Sequence, residues 1–183
     1  MRPGPGEVLH FSEDPGITRF RPQVVAVRST PLATPYVWAV DSDRAPDYWF
    51  PRQCPRAMAW VGPQTSEQDR LRLIGPGESR VHAIEYGWLE AMRTVELYAY
   101  RLPSETFTPY DAAVVSTAPE VLPLGPPERV PDLFTLHAEA GIQLRVLPNL
   151  HAFWSAVTTS TLEFSAIRLR NAQPSVLSQK FVP

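Results

Sequence analysis

The sequence has little cysteine and no long hydrophobic run. Cys54 is the single cysteine among 183 residues, which excludes an internal disulfide and a metal site built from several thiolates. No segment approaches the roughly 18 consecutive apolar residues that a membrane-spanning helix requires. The first residues also lack the apolar core of a signal peptide. We therefore expect an intracellular, cytoplasmic chain with no membrane partner.

The sequence also has no large excess of charge of either sign. The chain has 17 Lys and Arg residues against 19 Asp and Glu residues, for a formal net charge of -2. This balance gives no general attraction to nucleic acid or to an anionic membrane, so any site for an anion must be local. A nucleic-acid partner at such a local site stays open, and so does the oligomeric state.

The length fits one domain with one substantial core. We predict a single α+β domain over residues 7–172, preceded by a flexible leader over residues 1–6 and followed by a C-terminal tail over residues 173–183. The 21 prolines are about twice the average usage of roughly 5%. They are interleaved with aromatic residues, which indicates fixed loops in an ordered fold.

The hydrophobic pattern predicts strands followed by helices. Period-two alternation predicts strands over residues 7–11, 36–41, 56–61, 80–86, 95–102 and 112–117. Capping residues and apolar spacing predict helices over residues 42–50, 65–73 and 131–141, with a strand after the last of these. The clearest helix begins at Asn149, and its pattern continues through Phe164 and Ile167. The fold class is therefore α+β, with a mixed, mainly antiparallel sheet, flanking helices and a C-terminal helical portion.

Motifs for common chemistries are missing. The four histidines form no HExxH pattern, and no phosphate-binding glycine loop or GxSxG motif occurs. We therefore expect no metal site. Arg52 and Arg56 flank Cys54 and could lower its pKa enough to make it a nucleophile, but a small structural thiol in a proline-rich turn is the favoured interpretation.

Two segments combine aromatic, arginine and turn residues. "LHFSEDPGITRFRP" (9–22) is a short strand followed by a polar turn, and "VWAVDSDRAPDYWFPRQCPR" (37–56) carries aromatic rings and guanidinium groups. Arginine suits bidentate contact with phosphate, and Trp or Tyr can stack on a base. We expect His10 to face a cleft shared with Tyr48, Arg52 and Arg56. The alternative is that the aromatic residues belong to the core and that the arginines are solvated or ion-paired.

Both segments carry a resemblance. "LHFSEDPGITRFRP" and "VWAVDSDRAPDYWF" are similar to the opening of ADP-ribosyltransferase-like folds, and the chain resembles a family of short, uncharacterised bacterial proteins with an HFSEDP signature. The first resemblance implies that His10 contacts the ribose of NAD or a related nucleotide. It implies that main chain near Phe11 and Ser12 holds the nicotinamide amide. That fold has three site residues, of which the strand-one histidine is the first, and Trp38 and Tyr48 are the candidates for the second.

The same resemblance implies a catalytic glutamate at the start of the fifth strand. Counting strands places it at Glu96, where it would stabilise a sugar cation, with Glu85 and Glu163 as alternatives. The chain departs from the family pattern at Phe11, because a small residue usually follows the strand-one histidine.

Three functions remain in competition. The first is an active or degenerate enzyme that binds NAD or a nucleotide, with ADP-ribosyl- or phospho-transferase-like activity. The second is a non-catalytic module that binds a small anionic ligand or RNA. The third is a structural or partner-binding protein.

Overall fold

The chain is organised as two compact units in a computed structural model that describes residues 1–24, 34–111 and 113–174. Unit 1 comprises Met1–Trp49 and Val95–Pro131, and unit 2 comprises Phe50–Thr94 and Asp132–Pro183. The α+β class and the mainly antiparallel pairing are confirmed. The single domain over residues 7–172 stays a prediction. No helix within the described ranges has the length and apolar character needed to cross a membrane.

The described residues form ten strands and four α-helices. The strands are β1 (Glu7–Ser12), β2 (Val37–Ala39), β3 (Arg56–Trp60), β4 (Arg80–Glu85), β5 (Tyr98–Pro103), β6 (Thr108–Tyr110), β7 (Ala113–Ser116), β8 (Glu128–Arg129), β9 (Gln143–Leu147) and β10 (Glu163–Ile167). The helices are α1 (Glu67–Leu73), α2 (Leu89–Thr94), α3 (Leu133–Glu139) and α4 (His151–Thr158).

Unit 1 contains two three-stranded antiparallel sheets, in the orders β1-β5-β8 and β2-β7-β6. A bridge between Leu9 and Val40 joins β1 to the chain that follows β2. One core cluster lies between the strands: Val8, Phe20, Val37, Ala39, Tyr100, Leu102, Val114 and Val121. The predicted leader contacts this unit, because Met1 packs near Leu9 and the Gly6 carbonyl accepts the Ser104 N–H.

Unit 2 contains one four-stranded sheet in the order β10-β3-β4-β9, with β4 and β9 parallel. Alternating residues of β3 and β4 pack on one face against side chains from α1 and α4. This core consists of Ala57, Ala59, Leu73, Ile74, Val81, Ala83, Leu150, Phe153, Val157 and Leu162. Helix α3 contacts the other face, where His137 meets His82 of β4.

Most predicted elements are observed, with shifted ends. The helix predicted over 65–73 is α1, whose first turn is capped by the Ser66 hydroxyl accepting the Asp69 N–H. The helix predicted over 42–50 shrinks to one 3-10 turn, Ala45–Tyr48. Pro46 lies within this segment and Pro51 follows it, so a helix through residues 42–50 would have a proline in its interior and another directly after its end.

The predicted C-terminal helical portion is wrong beyond Thr158. Helix α4 ends there, and residues 163–167 form strand β10. Four consecutive hydroxyl residues, 158–161, cause the stop. The Thr158 and Thr159 hydroxyls donate to carbonyls three and four residues earlier, and the Ser160 hydroxyl accepts the Leu162 N–H. Such local bonds compete with helix continuation, and the apolar residues beyond them pair with β3 instead.

Asp69 ties α1 to the loop before β10. Its carboxylate accepts the Thr161 main-chain N–H at 2.9 Å and the Thr161 hydroxyl at 2.8 Å. These bonds lower the pKa of Asp69 to about 2. Two chain segments far apart in sequence are thus joined at one carboxylate.

We expect Asp69→Asn to lower the melting temperature at pH 7 by roughly 2–4 °C. The native pKa lies below the unfolded value of about 3.9, so the stabilisation is present above pH 4 and is lost as the pH falls toward 2. Thermal unfolding measured from pH 7 to pH 2 should therefore show a shallower acid decline for the variant. Glu90→Gln, at an exposed position, is the control. Equal acid declines for Asp69→Asn and wild type would contradict the expectation.

Candidate functional site

Strand β1 presents different residues on its two faces. Val8 and Ser12 are buried on the face that meets Tyr100 and Leu102 of β5. His10 shares this face by alternation. Its Nδ1 lies 2.8 Å from the Trp38 carbonyl oxygen, and its ring centroid lies 4.7 Å from that of Phe20. His10 is therefore oriented by β2 and by an aromatic side chain of the following loop.

The polar turn after β1 is ordered by four hydrogen bonds. The Ser12 hydroxyl accepts the Asp14 N–H at 3.1 Å, and Asp14 Oδ1 accepts the Gly16 N–H at 2.7 Å. The buried Tyr100 hydroxyl donates to the Asp14 carbonyl at 2.6 Å and accepts the Ile17 N–H at 3.1 Å. The turn predicted from "SEDPG" is thus fixed in shape by its own side chains and by β5.

Three aromatic rings cluster on the side of β2 opposite the core. Tyr36 and Trp38 alternate with the buried Val37 and Ala39, and Tyr110 of β6 reaches the same side. Ring centroids lie 6.0 Å apart for Tyr36 and Trp38, 5.6 Å for Tyr36 and Tyr110, and 5.7 Å for Trp38 and Tyr110. All three residues are half-buried. We call Tyr36, Trp38 and Tyr110 the aromatic face.

Two more predicted residues lie on this side of unit 1. Phe11 and Tyr48 pack against the buried Leu9, Val40 and Ala45. Val40 and Trp38 are two residues apart on one extended segment, so their side chains point to the same side. Phe11, Trp38 and Tyr48 are therefore brought to one side of β1 and β2, and His10 and Ser12 lie on the other.

The two predicted phosphate-binding arginines belong to unit 2. Arg56 is buried, donates to the Cys54 carbonyl at 3.0 Å, and places its guanidinium carbon 5.0 Å from the centroid of the Phe50 ring. Arg52 is exposed in the preceding turn. Their contact with a phosphate stays a prediction.

Glu96 precedes β5 and is exposed. Its carboxylate pairs with the Arg129 guanidinium at 3.4 Å. His10 lies opposite Tyr100 in the β1–β5 register, four residues along the chain from Glu96. Four residues of extended chain span roughly 13 Å. The pairing of β1 with β5 therefore does not bring the two predicted catalytic residues side by side.

The alternative glutamates have structural contacts within unit 2. The buried Glu85 carboxylate accepts the Leu150 N–H at the start of α4 and the Gln173 N–H at 3.0 Å. The Glu163 carboxylate accepts the Trp60 indole N–H at 3.1 Å. Each one connects separate segments of unit 2.

Sequence reasoning missed a buried histidine pair in unit 2. His82 Nδ1 lies 3.2 Å from His137 Nε2, Arg80 Nε donates to His82 Nε2 at 3.0 Å, and His137 Nδ1 lies 2.7 Å from the Leu133 carbonyl. These partners assign the ring protons. His82 accepts at Nε2 and donates from Nδ1, and His137 accepts at Nε2 and donates from Nδ1. The spacing of Leu133, Leu136 and His137 on one helix face was the available signal.

Sequence reasoning also passed over two arginines of unit 1. Arg19 NH1 lies 3.0 Å from Glu120 Oε1, and Arg21 Nε lies 3.5 Å from the same oxygen. Their side chains are 54% and 68% exposed. The tandem "TRFRP" pattern in the sequence, with Phe20 between the two arginines, was the signal for them.

The described residues contain no group of three His, Cys, Asp or Glu side chains that could hold a metal ion. Unit 1 instead offers aromatic rings, an oriented histidine, an ordered turn and guanidinium groups. Such groups can stack, donate hydrogen bonds and pair with anions, and the aromatic face lies on the side of β1 and β2 opposite His10 and Ser12.

The fold and these groups describe an α+β protein with a candidate ligand face in its first unit. The chain belongs to a family of unknown function, DUF6886, whose model matches residues 9–172. Comparison with curated proteins finds no match, and comparison with solved structures finds none either.

Cys54 has the environment of a structural thiol. It is buried, and burial raises its pKa to about 12, a shift that Arg56 opposes and Glu85 reinforces. Its Sγ lies 3.6 Å from the Pro55 carbonyl oxygen. Both features agree with the favoured interpretation of this residue, since a neutral, enclosed thiol is a poor nucleophile.

We expect iodoacetamide to alkylate Cys54 of the folded protein at pH 7.5 on the order of 100-fold more slowly than in urea, where the thiol is exposed. Mass spectrometry of timed samples measures both rates. Rapid alkylation of the folded protein would show instead that the thiol is accessible and partly ionised.

Proposed function

We propose that unit 1 binds a small nucleotide-type ligand such as NAD, with the planar ring of the ligand stacked on the aromatic face. The observation that carries this proposal is the cluster of Tyr36, Trp38 and Tyr110, whose centroids lie within 6.0 Å of one another while each residue stays half-buried. Aromatic side chains left at a surface in this way offer π faces to a base or a nicotinamide ring.

The Trp38 indole adds support. Its N–H is buried and donates to no acceptor among the described residues. An unsatisfied buried donor is uncommon in proteins and costs roughly 1–3 kcal/mol. If the Trp38 ring rearranged so that a ligand acceptor could contact this N–H, the new hydrogen bond would remove that free-energy cost.

The charge of unit 1 favours a small ligand over nucleic acid. The residues of this unit include 7 arginines and no lysine, against 11 Asp and Glu residues. Proteins that bind nucleic acid usually neutralise several phosphates with a basic surface, and an acidic unit opposes a long polyanion. A mononucleotide or a dinucleotide needs only one local cationic contact.

Binding without transfer is the form of this function that the geometry favours. ADP-ribosyl transfer, as the resemblance implies it, needs His10 and Glu96 at one ribose ring. The roughly 13 Å of extended chain between Tyr100, which faces His10, and Glu96 separates them along the strand pair. Glu96 is also paired with Arg129. The ordered turn and the aromatic face need no such convergence.

Removal of the Trp38 ring tests the proposal. We expect Trp38→Ala to weaken NAD binding about tenfold or more, because stacking contributes roughly 1–3 kcal/mol per ring. Isothermal titration with NAD, ADP-ribose, AMP and a short RNA measures affinity, and the shift in melting temperature with ligand provides a second readout. Tyr110→Ala, on the short strand β6, provides the same test at a less central position.

The matched control is Phe164→Ala in unit 2. Phe164 is 42% exposed and makes an edge contact with Trp154 at 5.5 Å, which resembles the contacts of the aromatic face. We expect this variant to retain wild-type affinity. The proposal fails if no nucleotide-type ligand binds the wild-type protein, or if all three variants bind equally well.

Glu96→Gln distinguishes binding from transfer. We expect the wild-type protein to bind NAD without transferring ADP-ribose to itself, to water or to added RNA, and the variant to keep the wild-type affinity within about twofold, since an exposed ion pair contributes little. Release of nicotinamide, followed by chromatography, measures turnover. Nicotinamide release by wild type that disappears in Glu96→Gln would establish the transferase interpretation in its place.

A further inference from the structure

Arg19 and Arg21 share one carboxylate on the exposed side of unit 1. Both guanidinium groups approach Glu120 Oε1, at 3.0 Å and 3.5 Å. Two cations against one anion leave an excess positive charge at this point of a unit that is acidic as a whole. Each guanidinium carries five N–H donors, and Glu120 is the only charged partner for either side chain within the described residues.

The chain around these arginines runs beside the aromatic face. Phe20 exchanges main-chain hydrogen bonds with Val121, and Gln23 exchanges them with Tyr36. Phe20 packs into the core, so its neighbours Arg19 and Arg21 point away from the core, as their exposure confirms.

The main chain at Arg21 therefore lies close to that of Tyr36, a member of the aromatic face. It lies two residues, or roughly 7 Å of extended chain, from Gln23, whose main chain is bonded to that of Tyr36. The flexible arginine side chain adds several ångströms to this reach. A ring stacked on Tyr36 would lie beside a chain segment that carries Arg21 about two residues away, a separation that an arginine side chain and an attached phosphate together can span.

We propose that Arg19 and Arg21 bind the phosphate group of the nucleotide-type ligand, which makes the preferred ligand a phosphorylated nucleotide rather than a nucleoside. This inference rests on the proposed function. Planar guanidinium groups match the geometry of phosphate oxygens and form charge-assisted hydrogen bonds with them. Glu120 holds both side chains on one side of the loop.

The test compares ligands that differ by one phosphate. Affinities of the full chain for AMP and adenosine, and for nicotinamide mononucleotide and nicotinamide riboside, are measured by titration calorimetry. We expect wild type to bind each phosphorylated ligand about tenfold more tightly than its neutral counterpart, since a hydrogen bond to a charged group contributes enough for that ratio. Added salt should reduce the preference.

The variant is the double substitution Arg19→Gln and Arg21→Gln. We expect it to bind the phosphorylated and neutral ligands equally, with its affinity for the neutral ligand unchanged and its preference insensitive to salt. Both positions are more than half exposed, so the melting temperature should change little. Arg129→Gln is the control, because Arg129 is 68% exposed and also pairs with a glutamate in unit 1.

The outcomes separate the two proposals. A phosphate preference that survives in the double variant, or a wild type that binds nucleoside and nucleotide equally through Trp38, overturns the role of the arginines and leaves the aromatic face as a binding site. Loss of the preference in Arg129→Gln as well would show a general charge effect and overturn it too. A wild type that binds none of the four ligands overturns both proposals.

Discussion

The antiparallel pairing of β1 with β5 determines on which side of unit 1 each candidate residue lies. Six residue pairs, from Glu7 with Pro103 to Ser12 with Tyr98, set the register. A slip of one residue would exchange the two faces of β1, so that Phe11 would point to the side of Val8 and Val8 to the side of Leu9. Tyr100 extends this constraint beyond the strands, because its buried hydroxyl holds the turn at Asp14 and Ile17. The β1–β5 register therefore also determines the shape of the polar turn, because it sets the position of Tyr100.

Unit 2 shows the same principle with polar groups placed inside the fold. Burying a polar side chain costs free energy unless it is hydrogen-bonded, so each buried group selects one arrangement of its partners. The Glu85 carboxylate joins β4 to α4 and to Gln173, and the His82–His137 pair joins β4 to α3. Arg145 donates to the carbonyls of Leu73 and Ile74 at the end of α1, where the helix dipole favours a cation.

Local patterns account for the parts of the fold that could be predicted. The alternation in residues 56–60 and 80–85 and the Ser66 cap depend on near neighbours, and they appear as β3, β4 and α1. The helix expected through Ile167 failed where the hydroxyl side chains of residues 158–160 donate to carbonyls of the last turn of α4 and compete with its continuation. Phe11 and Trp38 lie on strands that the Leu9–Val40 bridge connects, and Tyr48 of the 3-10 turn packs on the same side. The pairing of His82 with His137 depends on contacts 55 residues apart, which no local pattern contains.

In the proposed function, the net charge of unit 1 and stacking on the aromatic face act in opposite directions, and their balance would limit the size of the ligand. Stacking is tolerant of sequence and would accept any base, in a mononucleotide or in a polymer. The excess of 11 carboxylates over 7 arginines penalises each added phosphate, while Arg19 and Arg21 compensate the charge at one place only. Under the proposed function, a first phosphate would be favoured and further ones along a chain would meet repulsion. A face with these two properties would therefore favour a compact nucleotide-type ligand with a short phosphate group over a polymer.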